Sequence, residues 1–143
     1  MDKLTKALLG LAAIGIPDAI YHAYGEITAY STPLGNACDI NNLFSCSRVF
    51  QSGYTTFLGL SLWVYGVVWF PFILILGYWF VRKGGSLRGE VLVPVLMVGN
   101  IFTLYLWYLE LVKIGALCPV CISMYCLNYL MTAICLVVVL REN

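Results

Sequence analysis

Charge is what this sequence has least of. Only 10% of its 143 residues are Asp, Glu, Lys or Arg, against roughly 25% in a soluble domain. So few charges cannot cover a water-facing surface, which excludes an ordinary soluble globule and leaves lipid as the main solvent. Neither sign dominates: eight basic against seven acidic residues give a net charge of +1. The strongly basic face that nucleic acid selects is therefore missing, and no nucleic-acid partner is expected. Internal repeats, low-complexity tracts and a soluble appendage are also absent, and 143 residues leave room for a single domain.

What the sequence has in abundance is apolar length. It is 62% hydrophobic with a mean hydropathy of +0.90. Uncharged apolar runs occupy 57–81, 91–109 and 114–140, and roughly 20 helical residues cross a bilayer. An earlier segment, 7–27, is interrupted by Asp18, His22 and Glu26. A cleaved signal peptide is its competing reading, because Lys3 and Lys6 precede a short apolar core. Aliphatic and aromatic residues continue past Pro17, however, and no small-x-small site is evident. The expectation is an all-α integral membrane protein: a four-transmembrane-helix bundle, residues 1–143 forming one domain. The spans fall at about 7–27, 57–81, 91–112 and 116–140, with a long extracytoplasmic loop at about 28–56 between helices 1 and 2.

Basic residues collect on the cytoplasmic side of a membrane protein. With four spans, Lys3, Lys6, Arg82, Lys83, Arg88 and Arg141 share one side, and only Arg48 and Lys113 lie opposite. This predicts a multi-pass protein of the cell membrane with both termini cytoplasmic. Cys38 and Cys46 then stand in the outer loop, and Cys118 and Cys121 open the last span at the same face. Four of the six cysteines thus meet on the side where disulfides form and persist.

Cys118-Pro119-Val120-Cys121 is a C-x-x-C motif at a helix start. Unsatisfied N–H groups and the positive end of the helix dipole there favour a nucleophilic first sulfur. The one-turn spacing lets the pair cycle between dithiol and disulfide, and Pro119 suits the first helical turn. A zinc half-site is a rival reading, but zinc needs two more ligands. Cys38 and Cys46 are eight positions apart, unlike a zinc knuckle, so redox chemistry without a metal fits best, with an inert structural pair as the remaining alternative. Cys118, Cys121, Tyr125 and Asn128 follow at i, i+3, i+7 and i+10, one helical stripe. Facing the bundle interior, it offers sulfur, phenol and amide to a planar quinone; helix-to-helix hydrogen bonding is the plainer role for Tyr125 and Asn128.

Cys38 and Cys46 either close the loop with a structural disulfide or exchange one with the C-x-x-C pair. Leu43, Phe44, Val49 and Phe50 make that loop apolar enough to cap the bundle mouth. Cys126 and Cys135 read as small lipid-phase hydrophobes. Asp18, His22 and Glu26 recur at i, i+4 and i+8. They form either a proton path at membrane depth or an inexpensive interfacial set.

Together these features resemble the vitamin K epoxide reductase family. The matching elements are Cys38-Asp39, Cys46-Ser47-Arg48-Val49-Phe50 and Ser52 in the loop, and Cys118-Pro119-Val120-Cys121 with Tyr125 in the last span, covering about residues 7–140. The resemblance implies that Cys121 meets the quinone, Cys118 exchanges with Cys46, and Cys38 takes electrons from a reduced partner. It places Ser52 and Tyr125 along a quinone of menaquinone or ubiquinone type, with Phe50 closing the site. Vertebrate members carry a quinone- or epoxide-binding asparagine near the start of the second span, where Thr55 and Thr56 stand here. Epoxide reduction is therefore the alternative, and quinone-dependent oxidation of a thioredoxin-like (DsbA-like) protein is the expected role. The sequence ends at Asn143 without a fused thioredoxin-like domain, so that partner is expected to be separate. The DsbB type of oxidase carries its cysteine pairs in the reverse order. A disulfide-stabilised structural or binding membrane protein is the non-enzyme alternative.

The basic asymmetry yields a test of orientation. A membrane-impermeant thiol reagent should reach Cys38 in reduced, right-side-out vesicles; labelling confined to inverted vesicles contradicts it.

Overall fold

Hydrocarbon offers no water to a peptide group, so a spanning backbone must bond to itself. In the computed structural model, which describes residues 3–29, 41, 43–45, 48–49, 54, 56–83 and 91–142, helices meet this demand. They are α1 (Lys3–Ala29), α2 (Leu62–Lys83), α3 (Val93–Tyr108) and α4 (Pro119–Glu142), and α3 continues into a π-helical turn over Leu109–Ile114. Counting that turn with α3, four helices among the described residues are long and apolar enough to cross a membrane. Prolines stand inside two of them, Pro17 in α1 and Pro71 in α2. Each removes one backbone donor, a loss that neighbouring helices in a bundle compensate.

The second helix starts later than the apolar run that encodes it. Thr56–Phe57 (β1) and Leu60–Ser61 (β2) pair antiparallel. Leu58 and Gly59 turn between them with φ of 52° and 82°, the left-handed values that a two-residue hairpin loop requires. Hydrophobicity alone does not distinguish this ribbon from the first turn of a helix.

Helix α1 packs along both α2 and α4, and α4 packs along α3. Lipid tails are as apolar as leucine, so close packing, rather than expulsion of water, holds such helices together. Small residues make that approach possible. A Cβ added to Gly15 would lie 2.1 Å from the ring of Phe70, and one on Gly99 would lie 2.5 Å from Trp69. Phe70 itself is buried among Leu8, Ala12, Ala19, Ile73, Leu96 and Met131, which form one half of the core. The other half surrounds Cys118, Cys121 and Tyr125, with Val49, Leu106 and Leu109. Ile14, Ile75, Val98, Ile101, Leu104 and Leu140 point outward, where lipid solvates them.

Part of the segment between α1 and α2 is tied to the start of α4. Phe44 forms a parallel bridge with Leu117. The Ser45 N–H donates to the Leu117 carbonyl at 2.9 Å, and the Leu117 N–H donates to that of Leu43 at 2.6 Å. Val49 is buried beside Cys118 and Cys121. These contacts fix the loop segment one residue before the C-x-x-C motif.

Candidate active site

The first turn of α4 is shaped by its own cysteine. Cys118 stands at the N-cap, Pro119 opens the helix, and the Cys121 N–H donates to Cys118 Sγ at 3.3 Å. A sulfur thus takes the place of the hydroxyl or carboxylate that ordinarily receives an N-terminal N–H. Ile122 N–H closes the first intrahelical bond onto the Cys118 carbonyl at 2.9 Å. The arrangement sets Cys121 nearly one turn further along α4 than Cys118. Both are buried, as is Tyr125 one turn further.

Opposite α4, the buried face of α3 ends in an acidic residue at the start of the π-turn. Gly115 ends the turn with φ 71°, and its N–H returns to the Glu110 carbonyl at 2.8 Å, a five-residue step that widens the helix by one residue. Glu110 is buried at 3% exposure. Its Oε1 accepts the Tyr125 hydroxyl at 2.9 Å, while Oε2 has no hydrogen-bond partner among the described residues. The Tyr125 ring also packs against Trp107, centroids 5.4 Å apart. From α1, His22 places Nε2 at 3.8 Å from Cys121 Sγ.

These groups surround a cavity of about 460 Å³, within the size range of small-molecule sites. Its wall is largely apolar and aromatic, including Phe57, Tyr65, Trp69, Phe70, Phe102 and Leu106, with Cys121, Tyr125, Glu110 and His22 as its chemically active members. Val68, Phe72 and Val98 both line the cavity and face outward. The space therefore opens sideways into lipid, between α2 and α3. At the mouth, Phe57 of β1 stacks edge-on against Phe102 and Tyr65 at 5.4 and 5.9 Å, and the Tyr65 hydroxyl donates to the Phe57 carbonyl at 2.6 Å.

The floor is a polar network. Trp69 Nε1–H donates to Asn128 Oδ1 at 3.0 Å, Asn128 Nδ2 donates to Asn100 Oδ1, and Asn100 Nδ2 donates to Thr132 Oγ1 at 3.2 Å. Asn128 thus joins α2, α3 and α4 while also lining the cavity.

Of the residues singled out from the sequence, Cys118, Cys121, Tyr125 and Asn128 lie together here. Cys38, Cys46, Phe50 and Ser52 lie outside the described residues. Cys126 faces outward and Cys135 packs in the core around Phe70. His22 and Glu26 are buried between the helices at 6% and 2% exposure, and Asp18 accepts the Ser123 hydroxyl at 2.8 Å. Glu110 is the functional candidate that sequence reasoning passed over. Its signal was available: an acidic residue within an expected span, five positions before a glycine. Among the described residues no group of His, Cys, Asp and Glu is placed to hold a metal ion.

Residues 6–136 match the family model described as Vitamin K epoxide reductase family.

The floor network generates a stability test. Asn128→Leu strands the Trp69 N–H and removes the Asn128 amide donor from Asn100 Oδ1, and interhelical hydrogen bonds in membranes average about 0.6 kcal/mol each. Loss of about 1 kcal/mol is expected, read as a lower thermal midpoint in detergent. An unchanged midpoint means the network adds nothing to helix association.

Proposed function

The chain belongs to the vitamin K epoxide reductase family, and from that premise we propose that it oxidises a thioredoxin-like partner and delivers the electrons to a membrane quinone. The coarser part of this reading, a multi-pass membrane oxidoreductase of a quinone-linked family, follows from membership and from the four spanning helices. The observation that carries the rest is the position of Cys121. Its sulfur lies on the wall of an apolar cavity that opens to lipid, one turn from Tyr125.

A quinone headgroup fits this cavity by chemistry as well as size. It is flat and apolar, matching the aromatic wall, and its oxygens need polar partners at the rim. Glu110 lines the cavity, and its carboxyl when protonated can donate to a quinone oxygen; the Tyr125 hydroxyl lies beside it. Bound there, a quinone of menaquinone or ubiquinone type supplies a two-electron, two-proton acceptor.

The protein's own groups divide the remaining tasks. Cys121 meets the ring, because it lies three residues, about 4.5 Å, deeper than Cys118. Cys118 exchanges disulfides with the outer loop, a role supported by the pairing of residues 43–45 with Leu117. Cys46 follows Ser45 directly in sequence. On this reading it forms the mixed disulfide with Cys118, and Cys38 receives electrons from the partner. Ser52 and Phe50 complete the quinone site on the loop side, and Tyr125 completes it from α4. Both termini are cytoplasmic and the partner works at the outer face, as the distribution of basic residues implies.

Two substitutions separate the sulfurs. Cys118→Ala leaves Cys121 as an unpaired thiolate beside added quinone and should produce a visible charge-transfer band; Cys121→Ala should abolish it. The reverse pattern exchanges the two roles, and no band in either protein removes quinone from this cavity. Cys38→Ala should accumulate a Cys46–Cys118 linkage during turnover with a reduced thioredoxin-like substrate. Its absence from non-reducing mass spectra overturns the order of electron flow.

A further inference from the structure

Helix α1 carries the one histidine of this sequence, and the bundle buries it against a reactive sulfur. His22 Nδ1 lies 3.3 Å from Met124 Sδ. Its Nε2 lies 3.8 Å from Cys121 Sγ and 3.6 Å from Glu26 Oε2. A neutral imidazole has one N–H and one bare nitrogen, and the partner of the first decides which is which. Met124 sulfur is an acceptor only, so its contact is a hydrogen bond in the Nδ1–H tautomer. In that tautomer the Nε2 lone pair faces Cys121 and Glu26. Between those two, only the thiol has a proton to give to Nε2 when the Glu26 carboxyl is ionised.

From this geometry we propose that His22 is the catalytic base for Cys121, and that Glu26 is the positioning residue that stabilises its protonated form. The proposal rests on the quinone reading of the cavity for its final acceptor, and on local geometry alone for the proton transfer. Helix packing by itself asks for neither group. A fully buried imidazole and carboxylate one turn apart are expensive in hydrocarbon, and apolar residues fill such a seam without that penalty, as Ala12 and Ala19 do elsewhere on α1.

In the complete reaction two S–H bonds break and one S–S bond forms between Cys118 and Cys121. Two electrons pass from sulfur to the quinone, and its two oxygens gain the two protons. His22 takes the Cys121 proton at Nε2, generating the thiolate that is the nucleophile in thiol chemistry. The resulting imidazolium faces the Glu26 carboxylate on one side and the cavity on the other. It is therefore placed to return the proton to a ring oxygen, while Cys118 supplies the second proton as it closes the disulfide. The other titratable groups on the cavity are Glu110 and Tyr125, bonded to each other, with Tyr65 on α2 and Tyr54 in the outer segment. Asp18, one turn before His22, is engaged by Ser123 on the lipid-facing seam.

The test has two arms, one of them free of quinone. In reduced, quinone-free protein, alkylation of Cys121 by iodoacetamide is followed by mass spectrometry from pH 6 to 9 in the wild type, His22→Gln and Glu26→Gln. Loss of a general base typically lowers a rate by about 10²-fold or more. His22→Gln should therefore slow alkylation at pH 7 strongly and make it climb with pH where the wild type is nearly flat. Glu26→Gln should show a smaller loss of the same form. Protection of the buried Cys135 from alkylation in the same samples reports whether each variant is folded, since it packs around Phe70 and away from the dyad. The second arm is single-turnover quinone reduction by the same proteins. Coincident alkylation profiles for wild type and both variants overturn the proposal even if quinone is reduced normally. Separated profiles in a wild type that reduces no quinone uphold the dyad and overturn the quinone reading instead.

Discussion

In lipid, a polar group without a partner costs several kcal/mol, and the arrangement of this bundle follows from where its polar groups find one another. The spanning backbones bond within helices. The side chains that cannot do so converge: Trp69, Asn100, Asn128 and Thr132 form one chain of hydrogen bonds, Tyr125 and Glu110 a second pair, and His22 turns to Glu26, Met124 and Cys121. Each set faces inward, and the inward spaces they share become the cavity. Had the same residues been distributed around the helices, no common site would exist.

Helix α4 is the element on which this convergence depends. It packs against both α1 and α3, so a stripe along it contacts His22 on one flank and Glu110 on the other. Cys121 and Tyr125 are consecutive rungs of that stripe. The motif at its N-terminus is tied to the outer segment through Leu117. The C-x-x-C pair is buried at the junction of the outer segment, α4 and the cavity.

Backbone irregularities supply the rest. Glu110 continues the buried face of Gly99, Thr103 and Leu106 at ordinary helical spacing, and the π-turn closes behind it at Gly115, redirecting the chain toward Cys118. The hairpin at Leu58–Gly59 sets Phe57 over the cavity mouth against Tyr65 and Phe102. Both devices occupy stretches whose apolar composition reads as plain helix.

Composition and spacing were sufficient for the coarse architecture, because 20-residue apolar runs leave a chain few options in a membrane. The C-x-x-C motif and the i, i+3, i+7, i+10 stripe were equally legible, since helical periodicity alone puts Cys118, Cys121, Tyr125 and Asn128 on one face. What periodicity cannot supply is the partner across the bundle. His22 is 99 residues from Cys121 in sequence and 3.8 Å from it in space. Glu110 meets the Tyr125 hydroxyl at 2.9 Å across the turn that ends at Gly115, a pairing that no period along one helix encodes. The helix-borne half of the site was therefore set by local sequence. Which ionisable groups face the sulfur was decided by packing between helices, where distance along the chain carries no information.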